Sequence, residues 1–218
     1  MTLVKICGLT RSQDVDTAVA MGAWAIGFVI TESPRRTAPS LVAKLAARVP
    51  PEVLSVAVFT TEKPFEIAKI VGRTGVRAVQ LSAGAFGPNV AAVRAALSTA
   101  GVPRVALIAA RDTRGAEKAD FVLLDSRVIR HDSPVFGGTG QPLDWRGLAA
   151  SRKRLPRPER LLLAGGLNPT NAPMAIRALR PLAVDVSSGI EKSPGVKDFE
   201  KMKRLFAAVR SADADSDE

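Results

Sequence analysis

Cys7 is the only cysteine in a chain of 218 residues, and it stands at the end of a short apolar run, Val4-Lys5-Ile6-Cys7, before Gly8-Leu9-Thr10. A thiol at the end of a strand is a candidate general base, because its thiolate takes up protons near neutral pH. Asp125 ends a second apolar run, Phe121-Val122-Leu123-Leu124, where burial would keep a carboxyl protonated and make it a candidate general acid. Two later segments, LLLAGGLN over 161–168 and AVDVSSGIE over 183–191, pass from apolar residues into glycine and serine. Both have the form of strand-to-helix turns, whose free N–H groups at the positive end of a helix bind a phosphate without lysine.

Composition narrows the function classes. An apolar content of 46% is enough for one well-filled core, and one domain is expected. One cysteine and one histidine cannot supply a structural zinc site, so no metal is expected. No apolar stretch reaches the roughly 18 residues of a membrane span, and no signal-peptide pattern is present, which predicts a cytoplasmic protein without a membrane partner. The net charge is +10, and setting aside the four acids Asp213, Asp215, Asp217 and Glu218 leaves +14 on residues 1–210. The tail, 211–218, is expected to be disordered. With scattered arginines and no tyrosine for base stacking, the positive charge points to a small anionic substrate and away from nucleic acid. The densest basic run, SRKRLPRPER over 151–160, holds five basic residues and two prolines, and is expected to be a solvated linker.

Eight short β-rich runs, at 3–7, 24–30, 53–59, 76–81, 104–109, 121–125, 160–164 and 182–186, alternate with helical segments at 12–21, 39–48, 64–73, 88–100, 113–118, 143–150, 170–179 and 197–209. Proline or a Ser/Thr/Asn cap opens several of the helices, and glycine follows others. The fifth is clipped. Eight alternations suit a (β/α)8 TIM barrel over 1–210, and strand count alone also allows a doubly wound open sheet. The placement of polar residues favours the barrel: Cys7, Gln80, Asp125, Gly165 and Ser187 all fall at or just past strand ends, which a barrel gathers into one mouth.

The motifs VKICGLT, GFVITESPRR, AVQL, LLDS, GGTGQPLDW, LAGGLNPTN and VDVSSGIEKSPGVKD, in that order, resemble the phosphoribosylanthranilate isomerase family of tryptophan biosynthesis over residues 3 to about 200. The resemblance implies a (β/α)8 barrel without cofactor or metal, acting on phosphoribosylanthranilate by an Amadori rearrangement; monomer and homodimer both stay open. It implies that Cys7 is the general base and Asp125 the general acid, and that Arg35 of the S-P-R segment holds the anthranilate carboxylate. It places phosphate on Gly165, Gly166, Ser187, Ser188 and Gly189. Gln80 and Asp185 complete the expected binding set. The chain departs from the family after strand four, where Q-L-H-G becomes Gln80-Leu81-Ser82-Ala83. Another phosphosugar barrel is the nearest alternative, followed by a basic nucleic-acid-binding protein. A Ser133, His131 and Asp125 triad is disfavoured, because all three share one loop with no nucleophile-elbow sequence.

The rearrangement sets opposite demands on its two proton carriers. Asp125 must be raised above the usual carboxyl range to hold a proton, whereas a free thiol is only a few per cent thiolate at neutral pH, so Cys7 gains from a nearby cation. Strand alternation puts Lys5 on the same face as Cys7, below it, and barrel closure would bring Asp185 beside Lys5. A Lys5–Asp185 pair is therefore expected. It would satisfy the buried lysine and blunt its pull on the thiol.

Overall fold

A computed structural model describes residues 1–125, 148 and 155–214. Eight parallel strands, β1 (Leu3–Cys7), β2 (Ala25–Val29), β3 (Leu54–Phe59), β4 (Ala78–Leu81), β5 (Ala106–Ala110), β6 (Phe121–Leu124), β7 (Leu161–Leu163) and β8 (Ala183–Val186), form a closed barrel in sequence order. The open sheet is thereby excluded. Closure pairs β1 with β8 in a register that sets Lys5 opposite Asp185.

Alternation sorts each strand into two faces. One face, including Ile6, Ile26, Ala57, Val79, Leu107, Leu124, Leu163 and Val184, packs against the helices in the main core. The other fills the barrel: Ala25, Val56, Ala78, Ile108, Leu123, Leu162 and Ala183 form an apolar layer, with Cys7, Val29 and Val58 above it toward the C-terminal mouth. Short side chains at several of these positions leave room for the two charged ones, Lys5 and Asp185.

The described α-helices are α1 (Ser12–Ala20), α2 (Pro39–Ala46), α3 (Pro64–Thr74), α4 (Val90–Thr99), α5 (Ala172–Leu179) and α6 (Phe199–Ala214). Proline starts α2 and α3, where its missing N–H costs nothing, and Asn89 caps α4 by accepting from the Ala91 N–H at 2.8 Å. Gly75 ends α3 in the left-handed conformation at φ 67°. The clipped fifth helix is a single 3-10 turn, Ala116–Lys118. Expected features at 126–147 and 149–154, including His131, Ser133 and most of the helix over 143–150, lie outside the described residues.

Two expectations change, one at the end of the chain and one at Arg160. The final helix runs to Ala214, four residues beyond the expected domain boundary at 210. The Asp213 carboxylate accepts from the Thr2 N–H at 2.6 Å and hydroxyl at 2.7 Å, tying the helix end to the start of β1, so 211–214 belong to the barrel. Tail residues 215–218 lie outside the described residues. Arg160, at the end of the basic run, is not simply solvated: it donates to the carbonyls of Asp120 at 3.2 Å and Glu117 at 3.1 Å, and also to Ala119. Three carbonyls left open by the clipped helix are capped this way, which holds the β5–β6 connection to β7.

Candidate active site

The mouth is built from the strand ends upward. Cys7 ends β1, and the next strand makes room for it through Gly27, where a Cβ would sit 2.8 Å from the Cys7 Sγ and 3.2 Å from its Cα. Beneath the thiol, the Lys5 Nζ donates to the Asp185 Oδ1 at 2.8 Å, as alternation and closure predict. Lys5 is fully buried. Burial works against its charge, but Asp185 and then Cys7 outweigh that penalty and hold the ammonium above its ordinary range.

For Cys7, Lys5 favours the thiolate and Asp185 blunts that pull, as expected, but burial outweighs it. Burial is the largest influence and pushes the thiol up; Lys5 and Lys197 oppose it, while the Asp185 carboxylate adds to it. The net direction is upward because burial outweighs the two lysines, the pull of Lys5 being partly cancelled by its own counterion. Carboxamidomethylation of Cys7 by iodoacetamide, followed by mass spectrometry across pH, should therefore show a midpoint above that of a free thiol, near about 8.5. A midpoint below 8 would overturn this balance of charges.

Arg35 and Arg36 diverge as expected. Arg36 pairs with Glu32 at 3.1 Å on the exposed surface. Arg35 turns toward the mouth, its stem so close to the backbone after Cys7 that a Cβ on Gly8 would lie 2.7 Å from the Arg35 Cδ. Its Nε and Nη2 already grip the Glu191 carboxylate at 2.8 to 3.1 Å.

Gln80 reaches into the barrel from β4, above Ala78 on the same face. Its Nε2 donates to the Ser82 hydroxyl at 2.9 Å, and its Oε1 is buried without a partner. Ser82 thereby holds the orientation of the glutamine amide. Asp125 follows β6, half-buried, in inward phase with Leu123.

The two glycine-rich turns meet. After β7, Gly165 and Gly166 take φ of 87° and 66°, a left-handed region that glycine enters at little cost because it has no Cβ. After β8, Ser187 leads into a 3-10 turn, Ser188–Ile190, and a Cβ on Gly189 would lie 2.0 Å from the Leu167 carbonyl. Only glycine lets these turns touch. The N–H groups of Gly165, Gly166, Ser188 and Gly189 donate to no other described group, which leaves four backbone donors open. Asp185, expected in the binding set, lies below these donors and is engaged by Lys5.

Sequence reasoning passed over Glu191 and Lys197. They face each other across a hairpin of β9 (Glu191–Ser193) and β10 (Val196–Lys197), joined at Pro194-Gly195 with Gly195 at φ 80°. The Lys197 Nζ donates to the Glu191 Oε1 at 2.7 Å and to the Ser187 carbonyl at 3.3 Å. Burial lowers the Lys197 ammonium from its ordinary range despite Glu191, while the Arg35 and Lys197 contacts overcome burial and hold the Glu191 carboxyl low. The Pro-Gly pair was the available signal, since a turn there sets opposite charges across from each other.

No group of three or more His, Cys, Asp or Glu side chains suited to a metal exists among the described residues, and no helix among them is long and apolar enough to cross a membrane.

Residues 4–208 match the family model described as N-(5'-phosphoribosyl)anthranilate (PRA) isomerase. The N-(5'-phosphoribosyl)anthranilate isomerase of Herminiimonas arsenicoxydans is 38% identical over 228 residues, covering 98% of this chain and 95% of the relative. The phosphoribosyl anthranilate isomerase of Thermotoga maritima superposes with a TM-score of 0.77 at 34% identity, covering 97% of this chain and 100% of that one. A further solved isomerase, in complex with reduced 1-(o-carboxyphenylamino)-1-deoxyribulose 5-phosphate, superposes with a TM-score of 0.74 at 32% identity, covering 97% and 100%.

Proposed function

The chain belongs to the N-(5'-phosphoribosyl)anthranilate isomerase family, and from that premise we propose that it performs the Amadori rearrangement of phosphoribosylanthranilate in tryptophan biosynthesis, with Cys7 as base and Asp125 as acid. The observation that carries this assignment is the position of the thiol: it ends β1 at the barrel mouth, over a buried lysine, on the strand adjacent to one of two joined glycine-rich turns.

Asp125 gives its proton to the furanose ring oxygen as the C1'–O bond breaks, leaving an iminium between C1' and the aryl nitrogen. Cys7 removes the C2' proton, and that electron pair neutralises the iminium to give the enolamine. Protonation at C1' and loss of the enol proton give the 2'-ketone. The iminium charge beside the thiol favours the thiolate at the step that needs it, against the upward push of burial. The turns of Gly165 and Gly166 and of Ser187, Ser188 and Gly189 hold the phosphate through backbone N–H groups. Gln80, with its carbonyl oxygen unpartnered, accepts from a substrate donor, and Asp185 keeps Lys5 charged beneath the thiol. No cofactor enters these steps.

Arg35 holds the anthranilate carboxylate through the end of its guanidinium not occupied by Glu191. Arg35→Lys should raise KM about tenfold or more, because the charge stays and the planar fork is lost, whereas Arg36→Lys should change KM by less than about twofold. Equal small effects at both positions would remove the carboxylate role from Arg35.

The proposed activity is tested by following the loss of phosphoribosylanthranilate fluorescence with purified protein, with and without chelator. Consumption unaffected by chelator is expected. A protein that leaves the fluorescence unchanged does not have this activity.

A further inference from the structure

We infer that Glu191 is a positioning residue for substrate recognition, fixing the plane of the Arg35 guanidinium so that only its far edge is presented to a carboxylate. The inference rests on the proposed role of Arg35 and adds to it a residue that never touches the substrate. Glu191 is buried at 7% exposure, at the start of the hairpin that follows the phosphate turn. Its Oε1 accepts from the Arg35 Nε at 2.9 Å, the Lys197 Nζ at 2.7 Å and the Gly195 N–H at 3.2 Å, and its Oε2 accepts from the Arg35 Nη2 at 2.8 Å. Its backbone carbonyl is also held, by the Lys201 Nζ at 2.8 Å. Each partner limits how the carboxylate can turn.

A guanidinium offers two forks, one made by Nε with one Nη and the other by the two Nη atoms. Glu191 takes the first. The second is left, and Nη1 has no partner among the described residues. Packing of the Arg35 stem over Gly8 fixes the other end of the side chain. Charge points the same way: Arg35 and Lys197 share one buried carboxylate, so the cluster retains one positive charge for which an arriving anion is the natural counterion. One carboxylate also ties the loop after β2 to the hairpin after β8, linking the carboxylate end of the site to its phosphate end.

The test is calorimetric titration of wild type and Glu191→Gln with two ligands: reduced 1-(o-carboxyphenylamino)-1-deoxyribulose 5-phosphate, and the same compound built from aniline, without the carboxylate. Wild type should prefer the carboxylated ligand by about tenfold or more, as expected for a charge-assisted fork. Glu191→Gln should lose most of that preference while binding the aniline compound within about twofold of wild type. A preference retained in Glu191→Gln, or equal losses for both ligands, would overturn the positioning role while leaving Arg35 its own. No preference in wild type would show instead that the Arg35 assignment fails, and the role of Glu191 with it. Glu191→Asp repeats the test if the glutamine variant does not fold, since it keeps the charge beside Lys197 but is one methylene short of Arg35; the same loss of preference is expected.

Discussion

Cys7→Ala should lose at least about 10²-fold in kcat, the least that a positioned general base contributes, and keep the affinity of wild type for the reduced product analogue within about threefold. The fold should survive. The thiol is small and lies at the mouth against Val29 and Val58, so its removal opens no large cavity in the main core. Cys7→Ser sharpens the result: a hydroxyl of similar shape is a far weaker acid than a thiol and should be almost as inactive as alanine. Replacing Lys5 would be a poorer probe, because stripping one partner from a buried pair costs about 3–5 kcal/mol and leaves Asp185 uncompensated. The expectation is checked by steady-state kinetics together with calorimetry, and a Cys7→Ala variant retaining more than about a tenth of wild-type kcat would remove Cys7 from the base role.

Asp125→Asn should be nearly as damaging, for the complementary reason. The amide keeps the size of the carboxyl and loses its transferable proton, so ring opening slows while ground-state contacts persist. We expect kcat to fall about 10²-fold or more with KM changed by less than about threefold. A rise in KM with unchanged kcat would instead mark Asp125 as a binding residue. Arg35→Lys is expected to give the inverse pattern, with the larger change in KM, so together the variants separate proton transfer from recognition.

How far the sequence alone reaches depends on the range of the interaction. The strands were legible because continuous apolar runs such as LSVAVF and AVQL are what a barrel buried on both faces requires, and their ends located Cys7, Gln80, Asp125 and Ser187. The Lys5–Asp185 pair was legible too, since alternation and closure alone determine it. Less legible were contacts that depend on three-dimensional register between distant loops. Nothing local to Glu191 shows that it meets Arg35, which is 156 positions away. The purpose of Gly27 emerges only when the Cys7 thiol is found against it. Residues 211–214 were not legible for the same reason: composition argued for disorder from 211, and the bonds from Thr2 to Asp213 hold these four in the helix. The upward push on Cys7 is likewise a balance of burial and Asp185 against Lys5 and Lys197 that no single stretch of sequence reveals.

The most direct measurement of the central assignment is single-turnover consumption of phosphoribosylanthranilate deuterated at C2', with wild type and Cys7→Ala in excess over substrate. Removal of the C2' hydrogen by the thiolate predicts slower decay of the deuterated than of the ordinary substrate in wild type, and no decay above the uncatalysed rate in Cys7→Ala. Decay of both substrates at the wild-type rate in Cys7→Ala would contradict the assignment.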